Sequence, residues 1–527
     1  MNMIAKTPKK FNITGPCIQG FHYMVDIRAK IDMIIHDYID KGEYFTINRA
    51  RQYGKTTTLE MLYQRLHEHC VVLDLSFEGK DEYFISLEAF GEGFRRDVLA
   101  YKEEAYDAWA VWEDPIDRHF PMSDLSRRIT SFCQLSPKKV ILMVDEVDKA
   151  SDNDVFLIFL GMLREKFISR NRKGIAAFQS VILAGVHDIK NLKKKLRPEA
   201  QHAYNSPWNI AANFTVDMSF STEEIVTMLE NYEQDYFTGM AVDKIAERLY
   251  WYTGGYPFLV SCVCKTIHER NLGWILTGVD MAIRSIIKEN NTLFDDVIKN
   301  LMNHESFGEL VEQILLTGEG VPFQIRNPDI DRGVMYGIFK EMEGRVRISN
   351  IVFETIIYDY FISIAKTRAL TNRYADDDGS LFIHEGALDV TAVIQQFAVF
   401  MKSEYRDEDG SFIERHMRLL FLSFLKPIIN GKGSYAVEAE TRRNRRMDVV
   451  VFYGGEEHII ELKIWHGEKA AKEAYDQLTG YLLSRGQKRG YLVSFCDNRR
   501  APREGNTFIH KDCEIVEFIV AYRDKRE

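Results

Sequence analysis
The chain has 527 residues, 46% of them hydrophobic and 28% charged, with a formal net charge of −10. This is the composition of a globular protein too long for one core, so two to four domains are expected. The negative balance excludes a surface coated throughout with nucleic-acid-binding charge and leaves room for a local basic groove.

The start, "MNMIAKTPKKF", lacks the apolar centre of a signal peptide. No apolar run approaches the ~20 residues needed to cross a bilayer. The seven cysteines are scattered; Cys262 and Cys264 lie too close for a zinc knuckle, and no second pair answers them. Reduced thiols, a cytoplasmic location and no membrane partner are the expectation.

Residues 1–220 alternate short apolar runs with helical patterns. The runs are "YFTINR" (44–49), "VVLDLSF" (71–77), "KVILMVD" (139–145), "SVILAGV" (180–186) and "NFTVDMSF" (213–220). Such β-rich runs separated by helices predict an α/β fold with a parallel sheet covered on both faces. Residues 221–290 read as helical and are interrupted by "TGGYPF" (253–258). Residues 291–366 read as short helices closed by a hairpin-like "GRVRIS" (344–349). Charge and turn residues thicken at 367–380, which reads as a linker. Beyond it come a long amphipathic helix (412–428), a hairpin, another helix and the strand "GYLVSF" (490–495).

The first candidate site follows the first strand. Gly54-Lys55-Thr56 completes a P-loop except that Arg49 stands in the first-glycine slot. A strand before it and a helix pattern after it place backbone N–H groups and a helix N-terminus where phosphates would lie. Lys55 can reach the β and γ phosphates, and the Thr56 hydroxyl can ligate Mg²⁺. Arg49 sits where the chain leaves the strand, so its side chain can point outward. Gly54 is expected against the phosphates, where a Cβ would collide. "KKVILMVDEVDKA" (138–150) supplies a strand ending in two acids: Asp145 to hold Mg²⁺ through water and Glu146 to polarise the attacking water. The plainer alternatives are a strand-to-helix turn with an exposed lysine, and two acids that only cap the next helix.

The segments "HYMVDI" (22–27), "YFTINRARQYGKTTTL" (44–59), "VDEVD" (144–148), "SPWNIA" (206–211) and "GGYP" (254–257) resemble the prokaryotic AAA-ATPase-like family, a relative of the STAND and archaeal P-loop ATPases. The resemblance covers about the first 270 residues. An arginine-rich approach to Tyr-Gly-Lys is that family's own variant. The resemblance implies an ATP and Mg²⁺ site at Arg51, Gly54, Lys55, Thr56 and Thr57, with Asp145 and Glu146. It also implies a helical lid whose Gly255-Tyr256-Pro257 turn lies near the nucleotide; a proline simply opening a helix explains the turn equally well. Asp26 reads equally as an N-cap. His187 or Asp188 is a candidate γ-phosphate sensor, and Arg197 is a guess at an arginine finger.

The second candidate site lies in "RRNRRMDVVVFYGGEEHIIELKIW" (442–465). Two β-rich runs flank "GGEE", which predicts a hairpin. A four-residue loop at 454–457 would pair Asp448 with Lys463 and Val450 with Glu461. Asp448, Glu461 and Lys463 then share one face, with Val449, Val451, Ile460 and Leu462 on the other. Two carboxylates this close call for a cation, and oxygen donors suit Mg²⁺ or Mn²⁺. An exposed hairpin with an Asp–Lys pair is the plain alternative.

The spacing of Asp448 from Glu461-Leu462-Lys463 resembles the PD-(D/E)XK nuclease superfamily over about residues 380–527. By that resemblance Glu414, Asp448 and Glu461 are metal-site acids. Lys463 is the active lysine and Gln477 an accessory polar group, with Glu438 as a further acid. "TRRNRR" (441–446) would attract a phosphate backbone or is a solvated loop, while "KKKLRP" (193–198) reads as an exposed helix end. The middle segment resembles a winged helix and is favoured as a spacer rather than a DNA reader.

The combined expectation has four parts: a P-loop ATPase domain at 1–220, a helical lid at 221–290, a winged-helix-like segment at 291–366 and a nuclease-like domain at 380–527. ATP and Mg²⁺ are the expected cofactors and nucleic acid, first of all DNA, the expected partner; self-association is left open. The rival expectations are a signalling NTPase whose nuclease-like domain binds without cutting, a DNA-remodelling ATPase, and RNA as substrate.

Overall fold
The structure is a computed structural model that describes residues 8–102, 107–115, 122–150, 153–186, 208–289, 291–317, 321–367, 382–404, 410–429, 433–437, 448–465, 467–496 and 505–521. The chain forms two compact units. One comprises Met1–Tyr250, Gly255–Lys265 and Met335–Gly337, and the other Trp251–Gly254, Thr266–Val334 and Ile338–Glu527.

The first unit is built on a four-stranded parallel sheet: β1 (Tyr44–Asn48), β2 (Cys70–Ser76), β3 (Lys139–Asp145) and β4 (Ser180–Gly185), in the order β1-β4-β3-β2. Apolar residues on both sides of each strand give the sheet two cores. Tyr44, Leu73, Leu142 and Leu183 pack on one face against Phe90, Phe94 and Phe159. Phe45, Ile47, Met143 and Ile182 pack on the other against Leu59, Leu62 and Leu66 of the helix Lys55–Leu66. Because that helix carries the chain from β1 to the far strand β2, a crevice opens at the carboxyl end of β1, where open α/β sheets hold ligands.

The expected fifth strand, 213–220, is not a strand. Its backbone finds side chains instead of a ladder. Tyr38 Oη donates to Asn213 O at 3.1 Å and accepts from Thr215 N at 3.0 Å, and Arg49 Nη2 donates to Val216 O at 2.9 Å. One isolated bridge, Phe45 to Ala212, remains. Helices Thr222–Tyr236, Val242–Thr253, Pro257–Arg270 and Leu276–Lys288 occupy the segment expected to be helical. Ser221 and Glu224 open the first of them with a complete capping box.

In the second unit, helices Thr292–Asn303, Glu305–Glu312 and Pro328–Met335 precede the hairpin of β5 (Phe339–Met342) and β6 (Arg345–Ile348), and the helix Ile351–Thr367 follows. After a small pair, β7 (Ile383–His384) and β8 (Ala387–Leu388), come helices Val390–Glu404 and Gly410–Ile429. A six-stranded mixed sheet completes the unit: β9 (Gly433–Val437), β10 (Asp448–Tyr453), β11 (Glu456–Ile464), β12 (Arg489–Cys496), β13 (Asn506–His510) and β14 (Cys513–Ala521), in the order β13-β14-β12-β11-β10-β9. The helix Glu468–Ser484 makes the crossover from β11 to the parallel strand β12. Helix Val390–Glu404 and the β13–β14 hairpin went unnamed in the sequence reading. The helix buries Val390, Val393, Ile394, Phe397, Phe400 and Met401, an apolar stripe at helical spacing. Among the described residues no helix is long and apolar enough to cross a membrane.

Gly255 is fixed by sterics. Its φ is +74°, and an added Cβ would lie 2.0 Å from the carbonyl oxygen of Phe220, whose N–H donates to Gly255 O at 2.8 Å. Gly239 has a similar φ of +73° with nothing within 4 Å of a Cβ. Replacing Gly239 with Ala should therefore cost only the left-handed strain, about 1–2 kcal/mol. Gly255→Ala should cost clearly more, and thermal unfolding of the two variants measures the difference.

Candidate nucleotide and metal sites
At the end of β1 the loop turns under Gly54, whose φ of +79° only glycine adopts freely, and enters the helix at Lys55. A Cβ on Gly54 would meet nothing nearer than Pro257 Cγ at 4.0 Å. The backbone angle, rather than crowding by protein atoms, is what demands glycine here. Arg49 points away from the loop. Its guanidinium lies 5.4 Å from the Phe214 ring centroid and donates to Val216 O, so the first-glycine slot tolerates a side chain because that side chain leaves the site.

Lys55 is buried and folds back, its Nζ donating to Arg49 O at 3.0 Å and Ala50 O at 2.9 Å. Thr56 Oγ1 donates to Asp145 Oδ2 at 2.7 Å across 89 residues of chain. Asp145 Oδ1 accepts from Glu146 N at 2.8 Å. A hydroxyl and a carboxylate oxygen held together at a helix N-terminus are the donor set a Mg²⁺ ion takes. Glu146 has a φ of +54°, a costly conformation for a glutamate.

These groups line a cavity of about 810 Å³. Lys55, Thr56, Asp145 and Glu146 form its polar end, while Met24, Val25, Met218, Phe220, Met228 and Phe258 supply apolar walls. Arg51 lines it as well, and Tyr256 Oη donates to Arg51 O at 2.6 Å. Pro257 follows on the wall, so the Gly255-Tyr256-Pro257 turn does lie at this cavity and also opens a helix. Thr57 lines the cavity as well, and its hydroxyl accepts from Cys17 N at 3.1 Å, which tethers the preceding segment. Asp26 accepts from Arg28 N and ion-pairs with its guanidinium, but Ile27 holds the N-cap position of the helix Arg28–Ile34 and no side chain caps it. His187, Asp188, Arg197 and the 193–198 cluster lie outside the described residues.

Burial pulls the Lys55 ammonium down from its usual value, and Asp145, Asp148 and Glu146 work against that pull. Burial, then the neighbouring Asp145, pushes the Glu146 carboxyl up, toward the range of a competent proton acceptor. Asp74, which the sequence reading passed over, lines the same cavity and is pushed up to about 6 by burial and by Asp145 and Glu60. Its signal was visible: a carboxylate inside the apolar strand "VVLDLSF" is out of place unless it serves a site.

In the second unit, β10 and β11 pair through a two-residue turn, Gly454-Gly455, with φ of +61° and +88°. This corrects the expected four-residue loop, because two positive-φ glycines match the twist of a hairpin and close it early. Asp448 therefore stands opposite Glu461, not Lys463, and Val450 opposite Ile459. The shift is two residues, an even number, so Asp448, Glu461 and Lys463 keep register positions on one face of the sheet. Glu461 is buried and ion-paired with Lys463, whose Nζ also donates to Gln477 Oε1 at 3.2 Å. Burial pushes the Glu461 carboxyl up, against the pull of Lys463 and Arg418.

Parallel pairing adds members to this face. Leu492 lies beside Glu461, and Glu517 beside Leu492; Ser494 lies beside Lys463. Glu517 is fully buried and accepts from Tyr475 Oη at 2.7 Å. Tyr475 and Gln477 come from one helix, which packs on β12 and β14. Glu517 was not anticipated, because β14 was not foreseen. Oxygen donors at Asp448 and Glu461 suit a hard divalent cation. The structure describes the backbone but not the side chains of Asp448 and Glu414; Glu438 and the 441–446 cluster lie outside the described residues.

No protein-family model and no curated protein matches this chain. Among solved structures, the Walker-type ATPase paby2304 of Pyrococcus abyssi is similar over 66% of this chain and 99% of its own, at 10% identity and a TM-score of 0.45. The Aeropyrum pernix ORC2 protein, in ADPNP–ADP complexes, is similar over 64% and 95%, at 10% identity and a TM-score of 0.33. The Aeropyrum pernix ORC1 protein in complex with DNA is similar over 65% and 94%, at 13% identity and a TM-score of 0.30. At these scores and identities no residue role transfers from them.

Asp74 yields a signed pH prediction. Its folded pKa, about 6, lies above the unfolded value near 3.8. The folded state thus binds the proton more tightly, and stability falls as pH rises from about 4 to 6. In nucleotide-free protein, Asp74→Asn should raise the melting temperature relative to wild type at pH 7.5, and should give little gain at pH 4.5. Calorimetry at the two pH values checks this.

Proposed function
We propose that the chain is an ATP-binding and ATP-hydrolysing protein joined to a metal-dependent phosphodiesterase that cuts nucleic acid, DNA in the first instance. The ATPase half rests chiefly on one observation: the Thr56 hydroxyl and the Asp145 carboxylate meet at 2.7 Å beside a curled Lys55. Within this reading, residues 1–220 are the P-loop domain and 221–290 its lid. Residues 291–366 form the winged-helix-like segment, and 380–527 the nuclease-like domain.

ATP enters with its base against the apolar walls and its phosphates over the N-terminus of helix Lys55–Leu66. Lys55 exchanges the carbonyls of Arg49 and Ala50 for phosphate oxygens. Thr56 and Asp145 would hold Mg²⁺, which neutralises charge developing on the phosphates. Glu146 accepts the proton of the attacking water, a role its raised pKa suits. In the second unit Asp448 and Glu461, with Glu414, would hold Mg²⁺ or Mn²⁺, which lowers the pKa of a bound water. Lys463, steadied by Gln477 and Glu461, stabilises negative charge on the scissile phosphate. The close ion pair of Lys463 with the buried Glu461 also suits a second reading, a nuclease-like domain that binds nucleic acid or a partner without cutting.

Two substitutions separate the halves. Lys55→Ala should lower ATP turnover by about 100-fold or more, the scale seen when one charge-stabilising group is removed, while the second site keeps its metal. Lys463→Ala should abolish Mg²⁺-dependent cleavage of single-stranded or plasmid DNA and leave ATP hydrolysis within about 2-fold of wild type. Cleavage that survives Lys463→Ala overturns the nuclease assignment. Binding of DNA by the wild type without any cutting favours the second reading.

A further inference from the structure
The helix Gly410–Ile429 carries Glu414 and, one turn later, Arg418. Only 1% of Arg418 is exposed. Burying a guanidinium is costly unless partners offset it, and among the described residues no carboxylate forms an ion pair with Arg418. It is bonded to neutral oxygens of the preceding segment. Its Nη1 donates to the carbonyl of Leu315 and, at 3.2 Å, to Tyr358 Oη. Tyr358 Oη donates to the same Leu315 carbonyl at 2.7 Å. Among the described residues Arg418 Nε has no hydrogen-bond partner.

Leu315 lies in a π-helical turn, Gln313–Thr317, that continues the helix Glu305–Glu312. Its carbonyl takes two donors from outside that helix. Turns of this kind concentrate at functional positions because they are strained and can shift register. A second polar seam runs alongside: Tyr435 Oη on β9 donates to Asp359 Oδ1 at 2.7 Å, and Lys426 pairs with the same oxygen at 2.6 Å. Helix Ile351–Thr367 is therefore bonded both to the helix that bears Glu414 and to the strand that precedes Asp448. A purely structural joint would be better served by apolar side chains, which carry no desolvation cost.

We propose that Arg418 is a positioning residue of the second site. It fixes the register of the Glu414-bearing helix by binding it to the Leu315 turn, so that the middle segment sets the site's competence. This rests on the reading of that site as metal-dependent.

The test uses the full chain, with Mn²⁺ titrated by calorimetry and cleavage followed on a fluorescent single-stranded DNA. Arg418→Met keeps much of the side chain's bulk and removes the charge. It should weaken Mn²⁺ at the second site, or lower kcat at constant KM, by roughly 10-fold or more, the scale for groups that orient metal ligands. ATP binding at the first site should be unchanged. Tyr358→Phe removes one donor without opening a cavity and should move kcat the same way by a smaller factor. Arg418→Ala should regain part of its loss on addition of guanidinium at millimolar concentration, a response that lost packing alone would not give. If Tyr358→Phe and Arg418→Met both match wild type, the inference is overturned. It is equally overturned if losses track only the unfolded fraction and guanidinium restores nothing. A wild-type protein that takes up no Mn²⁺ beyond that lost in Asp145→Ala, and cuts nothing, refutes the metal-site reading and this inference with it.

Discussion

The hydrogen bond from Thr56 to Asp145 depends on the whole first unit being folded. Its partners stand on a helix and a strand 89 residues apart. They meet because β4 lies between β1 and β3 in a parallel sheet, so the ends of all three strands open on one rim. Both faces of that sheet are buried, and neither core can slip without exposing a row of large apolar side chains. The rim is thus a stiff base from which a short loop can present Lys55. Glu146 in a left-handed conformation and Asp74 with its raised pKa are local costs that this base supports.

The second unit solves a different problem with a mixed sheet. Here the constraint is parity. A hairpin may close early or late, but only an odd shift sends its carboxylates to the wrong face. Gly454-Gly455 closes it two residues earlier than a four-residue loop would, and Asp448 and Glu461 come directly opposite each other. Lys463 offsets the charge of the buried Glu461 from two residues along β11, and Gln477 holds Lys463 from the crossover helix.

Polar contacts join the parts of this unit in a way sequence patterns do not display. Arg418, Tyr358, Asp359, Lys426 and Tyr435 belong to three separate elements, and nothing in their spacing advertises that they meet. Each would read as a surface residue on a helix or strand edge. Their meeting is a product of how helices Ile351–Thr367 and Gly410–Ile429 pack, and a one-dimensional pattern does not encode that packing.

What the sequence determined alone is what local periodicity and turn chemistry can carry. The strands β1 to β4, the helix after Gly54, the acids at the end of β3 and the face shared by Asp448, Glu461 and Lys463 all follow from runs of two kinds, apolar and alternating, punctuated by glycine. The tertiary structure decided the rest. Residues 213–220 have strand composition, yet Tyr38 and Arg49 satisfy their backbone and no ladder forms. The Thr57 hydroxyl is taken by Cys17 N, 40 residues earlier in the chain. Asp74 and Glu517 join sites because a neighbouring strand sets them there. Each of these outcomes depends on which group from a distant part of the chain reaches a hydrogen-bonding atom first, and only the packed fold settles that competition.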